Sequence, residues 1–303
     1  MGYPYYILDV FTEAPFSGNQ LAVVRDCDGL SADQMQSIAR EFNFSETVFV
    51  LRPADPVNSA RLRIFTPAAE VPFAGHPTIG AAVLIAQVDA AQMLGQRELV
   101  IALELGIGLV TCEVRKPKAR ATRAEFNLPK LPQLLKGTPS VGDLARALNL
   151  AADDIGFDGH APSHFSAGFG FVFVPVASLE AIGRAKINAD TWDSVFSHPD
   201  GRACYLYTRE VAGEHSHVHT RMFSPSFGIN EDPATGSAAA AFAGVCMQFE
   251  KPGDGVHQIV IEQGIEMGRP SEIVLTLSVR DQALESASIG GSAVVFAHGN
   301  LDI

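Results

Sequence analysis

Hydrophobic and polar positions change period several times along the chain. YYILDVFT (5–12) and LAVV (21–24) read as strands around a PFSGNQ turn (15–20), because short apolar runs bounded by turn residues suit β-structure. Ser31 with Gln34 fits a capping box ahead of the helical run MQSIAREF. FNFSETVFVL (42–51) and ARLRIFTP (60–67) read as further strands. TIGAAVLIAQ reads as a helix entered through Gly75, His76 and Pro77; Pro77 suits the first helical position, where a missing N–H costs nothing. ELVIALEL and IGLVTCEVR add two strands. The basic, proline-interrupted RKPKARATR (115–123) reads as a solvated linker or edge, and LPKLPQLLKGTP (128–139) continues the break. Beyond it the pattern predicts helices at SVGDLARALNL, SLEAIGRA, INADTWDSVF and AAAAFAGVCMQF. Strands are predicted at FSAGFGFVFVPV (165–176), CYLYT, HVHTRMFSP, VHQIVIEQG, EIVLTLSVR and SAVVFAH.

The chain repeats itself. RIFTP (63–67) returns as RMFSP (221–225), 158 positions on, and the helix starts PFAGHPTIGAA and PATGSAAAAFA follow with their glycines, Gly75 and Gly236, 161 apart. Three residues are therefore inserted in the second copy. A period of half the chain is too long for a solenoid. It predicts an α+β fold of two related lobes, each a curved, mostly antiparallel sheet carrying a buried helix. The boundary is set at 117/118, giving lobes 1–117 and 118–303, with SAVVFAH as a strand that can cross back to the first. Each helix start is preceded by a tight glycine turn. Helix N-termini present unpaired N–H groups and partial positive charge, and two of them across a cleft would hold a carboxylate.

Composition narrows the partners. The formal net charge of −12 disfavours phosphate backbones and anionic membrane surfaces. No segment approaches the roughly 18 uninterrupted apolar residues of a membrane helix. Cys27, Cys112, Cys204 and Cys246 are far apart, with no C-x-x-C, so a zinc ribbon or redox pair is not expected. The start, MGYPYYILDVF, lacks a basic region followed by an apolar stretch, and Tyr6 stands where myristoylation needs Ser or Thr. A reduced, cytoplasmic setting is expected.

Several residues could carry chemistry. Glu46 sits among Phe42, Phe44, Val48 and Phe49; burial there would raise its pKa and suit a group that takes and returns a proton, the alternative being a turn cap or an arginine partner. His76, at a positive helix end, would stay neutral and bond or relay a proton, or act only as a cap. Glu231 and Asp232 precede the second helix and could be reactive or simply dipole partners. Ser237 is a candidate cap without the flanks of a nucleophile elbow. His215, His217 and His219 alternate and would share one strand face, but no carboxylate or cysteine lies at a helpful spacing; a metal-dependent enzyme centred there is the weakest reading. Neither AGFGF nor LGIGL makes a dinucleotide-binding turn.

VFTEAPFSGNQLAVV, EFNFSETVFV, RIFTPAAEVPFAGHPTIGAA, EDPATGSAAA and EQGIEMGRPS occur in one order along nearly the whole chain. Together they resemble the phenazine-biosynthesis PhzF-like isomerases, a family with the diaminopimelate-epimerase fold. The resemblance implies two pseudo-symmetric domains with sheets wrapped around central helices, an active site in the cleft between them, a homodimer, and no cofactor. It also implies that Glu46 is the proton shuttle, with His76 and Asp232 orienting an amine and hydroxyl or relaying the proton. Gly75, Gly236 and Ser237 would hold a carboxylate. Ala74 and Thr235 stand where related epimerases carry their two cysteines, so a two-thiol racemase is not implied. Gln20 stands where a proline is common. The expected activity is thus cofactor-independent proton movement on a small cyclic or amino-acid-like carboxylate, of the dihydro-hydroxyanthranilate type among others. The rival is a non-catalytic binder of small carboxylates.

Overall fold

The computed structural model describes residues 2–303. The chain is sheet-rich α+β, and falls into two compact units, Met1–Asn127 with Gly290–Ile303, and Leu128–Ile289. The first contains β1 (Tyr3–Val10), β2 (Asn19–Val24), α1 (Ala32–Phe42), β3 (Glu46–Leu51), β4 (Ala60–Phe65), β5 (Glu70–Val71), α2 (Gly75–Asp89), β6 (Leu99–Leu105), β7 (Gly108–Arg115) and β8 (Thr122–Asn127). The second contains β9 (Gln133–Leu134), α3 (Val141–Leu148), β10 (Ser163–Ser166), β11 (Gly170–Pro175), α4 (Leu179–Arg184) and α5 (Ala189–Val195). After these come β12 (Ala203–Thr208), β13 (Val218–Ser224), β14 (Ile229–Asp232), α6 (Gly236–Val245), β15 (Gly255–Gln263) and β16 (Ser271–Arg280). The last strand, β17, runs Ala283–Leu301, and its residues 293–301 pair antiparallel with β1 in the first unit.

The division falls after Asn127 and not at 117. Residues 115–123 are a hairpin and no linker: β7 pairs antiparallel with β8, Cys112 opposite Phe126 and Arg115 opposite Arg123. The segment 165–176, expected as one strand, is also a hairpin. Its middle turns at Gly168, φ +119, and Ser166 then faces Gly170.

The capping box is real. Ser31 Oγ accepts from Gln34 N, and Gln34 Oε1 accepts from Ser31 N, so two end donors are satisfied. In α2 every residue from Gly75 to Ala86 is buried. A helix with no polar stripe must be covered on all sides, and α2 packs against β1, β2, β3, β6, β7 and β8. In the second unit α6 packs against β9, β10, β11 and β16 and is likewise buried, Ser237 excepted. A separate core of Leu144, Leu148, Val172, Val174, Trp192 and Phe196 seats α3 and α5 on the strands of that unit.

The sequence repeat is a repeat of register. Parallel β4–β6 sets Ala60 against Leu103, and parallel β13–β15 sets Val218 against Ile261, each 158 positions on. Ile64 faces Val71 in the first unit and Met222 faces Asp232 in the second. The three inserted residues fall between, where the second copy makes a short 3₁₀ turn, Pro225–Phe227, closed by Gly228 at φ +79. No helix among the described residues is long and apolar enough to cross a membrane.

Candidate active site

In the first unit Glu46 opens β3, opposite Leu21 of parallel β2. His76 is the second residue of α2, whose N-cap is Ala74. Its Nε2 lies 3.6 Å from Glu46 Oε2, the two side chains being 5% and 17% exposed. That separation is too long for a hydrogen bond, and Nε2 is buried with no hydrogen-bond partner. The ring donates instead to the backbone of Gln20 in β2, which leaves Nε2 as the bare acceptor nitrogen. Burial drives the imidazole pKa down from 6.5 to about 3 despite that bond, so His76 is neutral. The helix start thus brings Glu46, His76 and Gly75 together. His76 lies in the first turn of α2, at the helix end where it was expected, but it is not the cap, and Pro77 is not at the first helical position. Ala74 is the N-cap, Gly75 is first in the helix, and Pro77 is third, still within the first turn, where an α-helix leaves N–H positions unbonded and the N–H that proline lacks costs nothing.

In the second unit Asp232 ends β14 and is buried. Thr235 Oγ1 donates to its Oδ2 at 2.6 Å. Gln263, the last residue of β15 and fully buried, bonds to both residues: Nε2 reaches the Asp232 carbonyl at 2.7 Å and Thr235 Oγ1 at 3.0 Å, and Oε1 accepts from Thr235 N at 3.2 Å. Gly236 and Ser237 are the first two residues of α6. Ser237 is therefore not the cap; the N-cap is Thr235, and its side chain turns to Asp232. After Gln263 comes Gly264 at φ +76, where a Cβ would sit 2.6 Å from Pro233 O. Gly106 abuts Pro72 in the same way in the first unit. These contacts fit each helix-start turn against the strand that follows the helix, and they account for the glycine of EQGIEMGRPS.

Glu231 belongs to the scaffold. Arg221 grips it through Nε and Nη2 at 2.8 and 2.9 Å, while Nη1 donates to the carbonyls of Ile182 and Ala185. The first copy has the same clamp, Arg63 on Glu70 at 2.7 and 2.6 Å. In both, the guanidinium also lies over a phenylalanine, Phe65 at 5.1 Å and Phe223 at 4.8 Å. The first acid of EDPATG is thus half of a duplicated ion pair, and only the second is turned toward the helix start.

Of the three histidines only His219 lies in a strand and is buried. Its Nδ1 is 2.8 Å from Glu262 Oε1 and its Nε2 2.9 Å from Glu266 Oε1. Carboxylates 43 and 47 residues away occupy both nitrogens and leave no lone pair for a metal ion. His217 accepts from Val260 N at the exposed edge. The four cysteines are buried thiols, with burial pushing Cys27 and Cys112 up to about 12, so none is a poised nucleophile. None stands at either helix start, where Ala74 and Thr235 are found.

The comparisons with known proteins identify the family. The family described as phenazine biosynthesis-like protein matches residues 8–299. An uncharacterized isomerase of Mesorhizobium japonicum is 47% identical over 302 residues, covering 99% of this chain and 98% of that one. The trans-2,3-dihydro-3-hydroxyanthranilate isomerase of Pseudomonas aeruginosa is 34% identical over 306 residues, covering 97% and 98%. The crystal structure of a Bacillus anthracis PhzF-family protein superposes with a TM-score of 0.88 at 27% identity over the whole of both chains. The chain therefore belongs to the PhzF-like, phenazine biosynthesis-like family.

Proposed function

We propose that this protein is a PhzF-like isomerase that moves a proton on a small cyclic or amino-acid-like carboxylate without a cofactor, with Glu46 as both base and acid. The observation that carries the reading is the buried, unpartnered Nε2 of His76, 3.6 Å from the Glu46 carboxylate. A neutral imidazole held there brings no positive charge of its own to the carboxylate. Once Glu46 is protonated, Nε2 can accept a hydrogen bond from it, or from a substrate hydroxyl, and so steady the half-reacted state.

The reaction balances within the substrate. Glu46 takes a proton from one carbon, and the electron pair of that C–H bond passes into the adjoining π system. A second carbon of the same system then takes the proton back from the Glu46 carboxylic acid. No side chain caps the helix at Ala74 or Thr235, so the amides of Gly75 and Gly236, with Ser237, are the donors assigned to the substrate carboxylate. Asp232 is assigned to a substrate amine. The P. aeruginosa relative's name puts trans-2,3-dihydro-3-hydroxyanthranilate first among compounds to test.

Glu46→Gln keeps the shape and removes the proton transfer. Turnover should fall by about 10²–10⁴, and deuterium from heavy water should cease to enter the substrate carbon. Full turnover by this variant on a substrate of the wild type would end the proposal. Tight binding by the wild type with no deuterium uptake would favour a carboxylate binder.

A further inference from the structure

The polar cluster behind Asp232 has a built-in direction. Two backbone groups fix the Gln263 amide: Nε2 faces the Asp232 carbonyl at 2.7 Å and Oε1 faces the Thr235 N–H at 3.2 Å. A flipped amide would set donor against donor and acceptor against acceptor. Because Nε2 also points at Thr235 Oγ1, that oxygen must accept from it. A hydroxyl has one proton, and the only use left for it is the bond to Asp232 Oδ2 at 2.6 Å. From β12, Tyr205 sets its phenol 3.3 Å from Oε1 and 3.1 Å from Thr220 Oγ1; burial first, and the charge of Asp232, keep that phenol protonated. Glu231, next to Asp232 in β14, is tied to Arg221 of β13.

The duplicated unit shows that the turn does not need this cluster. Val71 holds the place of Asp232 in the strand pairing, Ala74 is the N-cap where Thr235 stands, and Leu105 precedes Gly106 as Gln263 precedes Gly264. With three apolar residues at those places, the first unit still forms the turn, the glycine contact with Pro72 and a 15-residue helix.

We propose that Thr235 and Gln263 are positioning residues for Asp232: Gln263 sets the direction of the Thr235 hydroxyl, and that hydroxyl holds one carboxylate oxygen and favours the ionised form. The inference rests on the isomerase reading only for what Asp232 then does to a substrate.

The test is the titration of Asp232, followed by the carboxyl carbon resonance in protein labelled at the aspartate side chains and assigned with Asp232→Asn. Thr235→Val keeps the shape and removes the hydroxyl. A lost hydrogen bond to a charged acceptor should weaken Asp232 as an acid by about tenfold. Thr235→Ser should restore the wild-type midpoint, which a purely packing role for the methyl group would not do. Gln263→Leu, the residue of the first copy, should shift the midpoint in the wild-type background and leave it unmoved in Thr235→Val, because Gln263 acts through Thr235. An unshifted midpoint in Thr235→Val overturns the proposal, as does an equal Gln263→Leu shift in both backgrounds. If Gln263→Leu does not fold, the Thr235→Val and Thr235→Ser pair decides alone. The measurement uses no substrate, so an active Glu46→Gln enzyme would defeat the reaction and leave this result standing.

Discussion

Replacing His219 by glutamine should remove a defined share, about 3 kcal/mol, of the protein's loss of stability between pH 6 and pH 10. His219 has a side chain only 2% exposed, and both ring nitrogens meet carboxylate oxygens. A carboxylate only accepts, so both nitrogens must carry hydrogen and the ring is an imidazolium. Burial alone would lower its pKa. The bonds to Glu262 and Glu266 outweigh burial and raise it from 6.5 to about 9. A folded-state pKa above the unfolded value stabilises fully below about pH 6.5, and that stabilisation is lost as pH rises through about 9. The rise corresponds to about 3 kcal/mol at one pKa unit per roughly 1.4 kcal/mol. The acid side has the opposite sign. Burial would raise the pKa of Glu262, but the bonds from His219 and from the amides of Ala212 and Gly213 bring it down to about 2. Its contribution is present above its ordinary 4.5 and lost as pH falls through about 2. Guanidinium melts of wild type and His219→Gln, run at pH 6 and pH 10, give the test. The variant should be less stable at pH 6, and the gap should shrink by about 3 kcal/mol at pH 10. Buried Cys27 and Cys112, raised from 9.0 to about 12, begin to lose stabilisation only above about pH 9, and they do so in both proteins and cancel in the difference. Parallel pH curves would refute the charged-clamp reasoning.

Two further predictions concern the scaffold. Gly264→Ala forces a Cβ at φ +76 to within 2.6 Å of two backbone oxygens, whereas Gly268 at φ +68 has nothing within 4 Å of its Cβ. Calorimetry should therefore show a loss of more than about 2 kcal/mol for Gly264→Ala and about 1 kcal/mol for Gly268→Ala, and equal losses would contradict the packing argument. Removing Arg221 strands Glu231 in a site where the two side chains are only 8% and 18% exposed, against 24% and 42% for Arg63 and Glu70. Arg221→Met should cost about 3–5 kcal/mol and Arg63→Met clearly less, by chemical denaturation; the reverse order would show that burial does not set the strength of the clamp.

Much of this was legible in the sequence, because the pentapeptide and the glycine turn fix register twice over. RIFTP and RMFSP carry the arginine clamp and its phenylalanine, and the helix starts at Gly75 and Gly236 follow from the same two stretches. What escaped depends on partners far apart in the chain. Gln263 lies inside the quoted EQGIEMGRPS, yet its use appears only when parallel β13–β15 brings Thr220 opposite Gln263, within reach of Asp232. The alternating histidines read as one face, but the strand begins at Val218, and the carboxylates that hold His219 come from after β14 and α6. The hairpin at 166–170 was hidden because its turn is built from Ala, Gly and Phe with no polar marker. The boundary at 117 was drawn from charge and proline, which here mark only the tip of a hairpin.

The two copies have exchanged assets. Where the first unit carries Glu46 opposite Leu21, the second has Ala203 opposite Phe171; where the second carries Asp232, the first has Val71. Two first halves joined end to end would keep both arginine clamps and both glycine–proline seams, with Glu46 twice and Val71 in each place of Asp232. Two second halves would carry Asp232 twice and Ala203 in each place of Glu46. The two halves share one frame, and the residues proposed here for the chemistry lie where the halves differ.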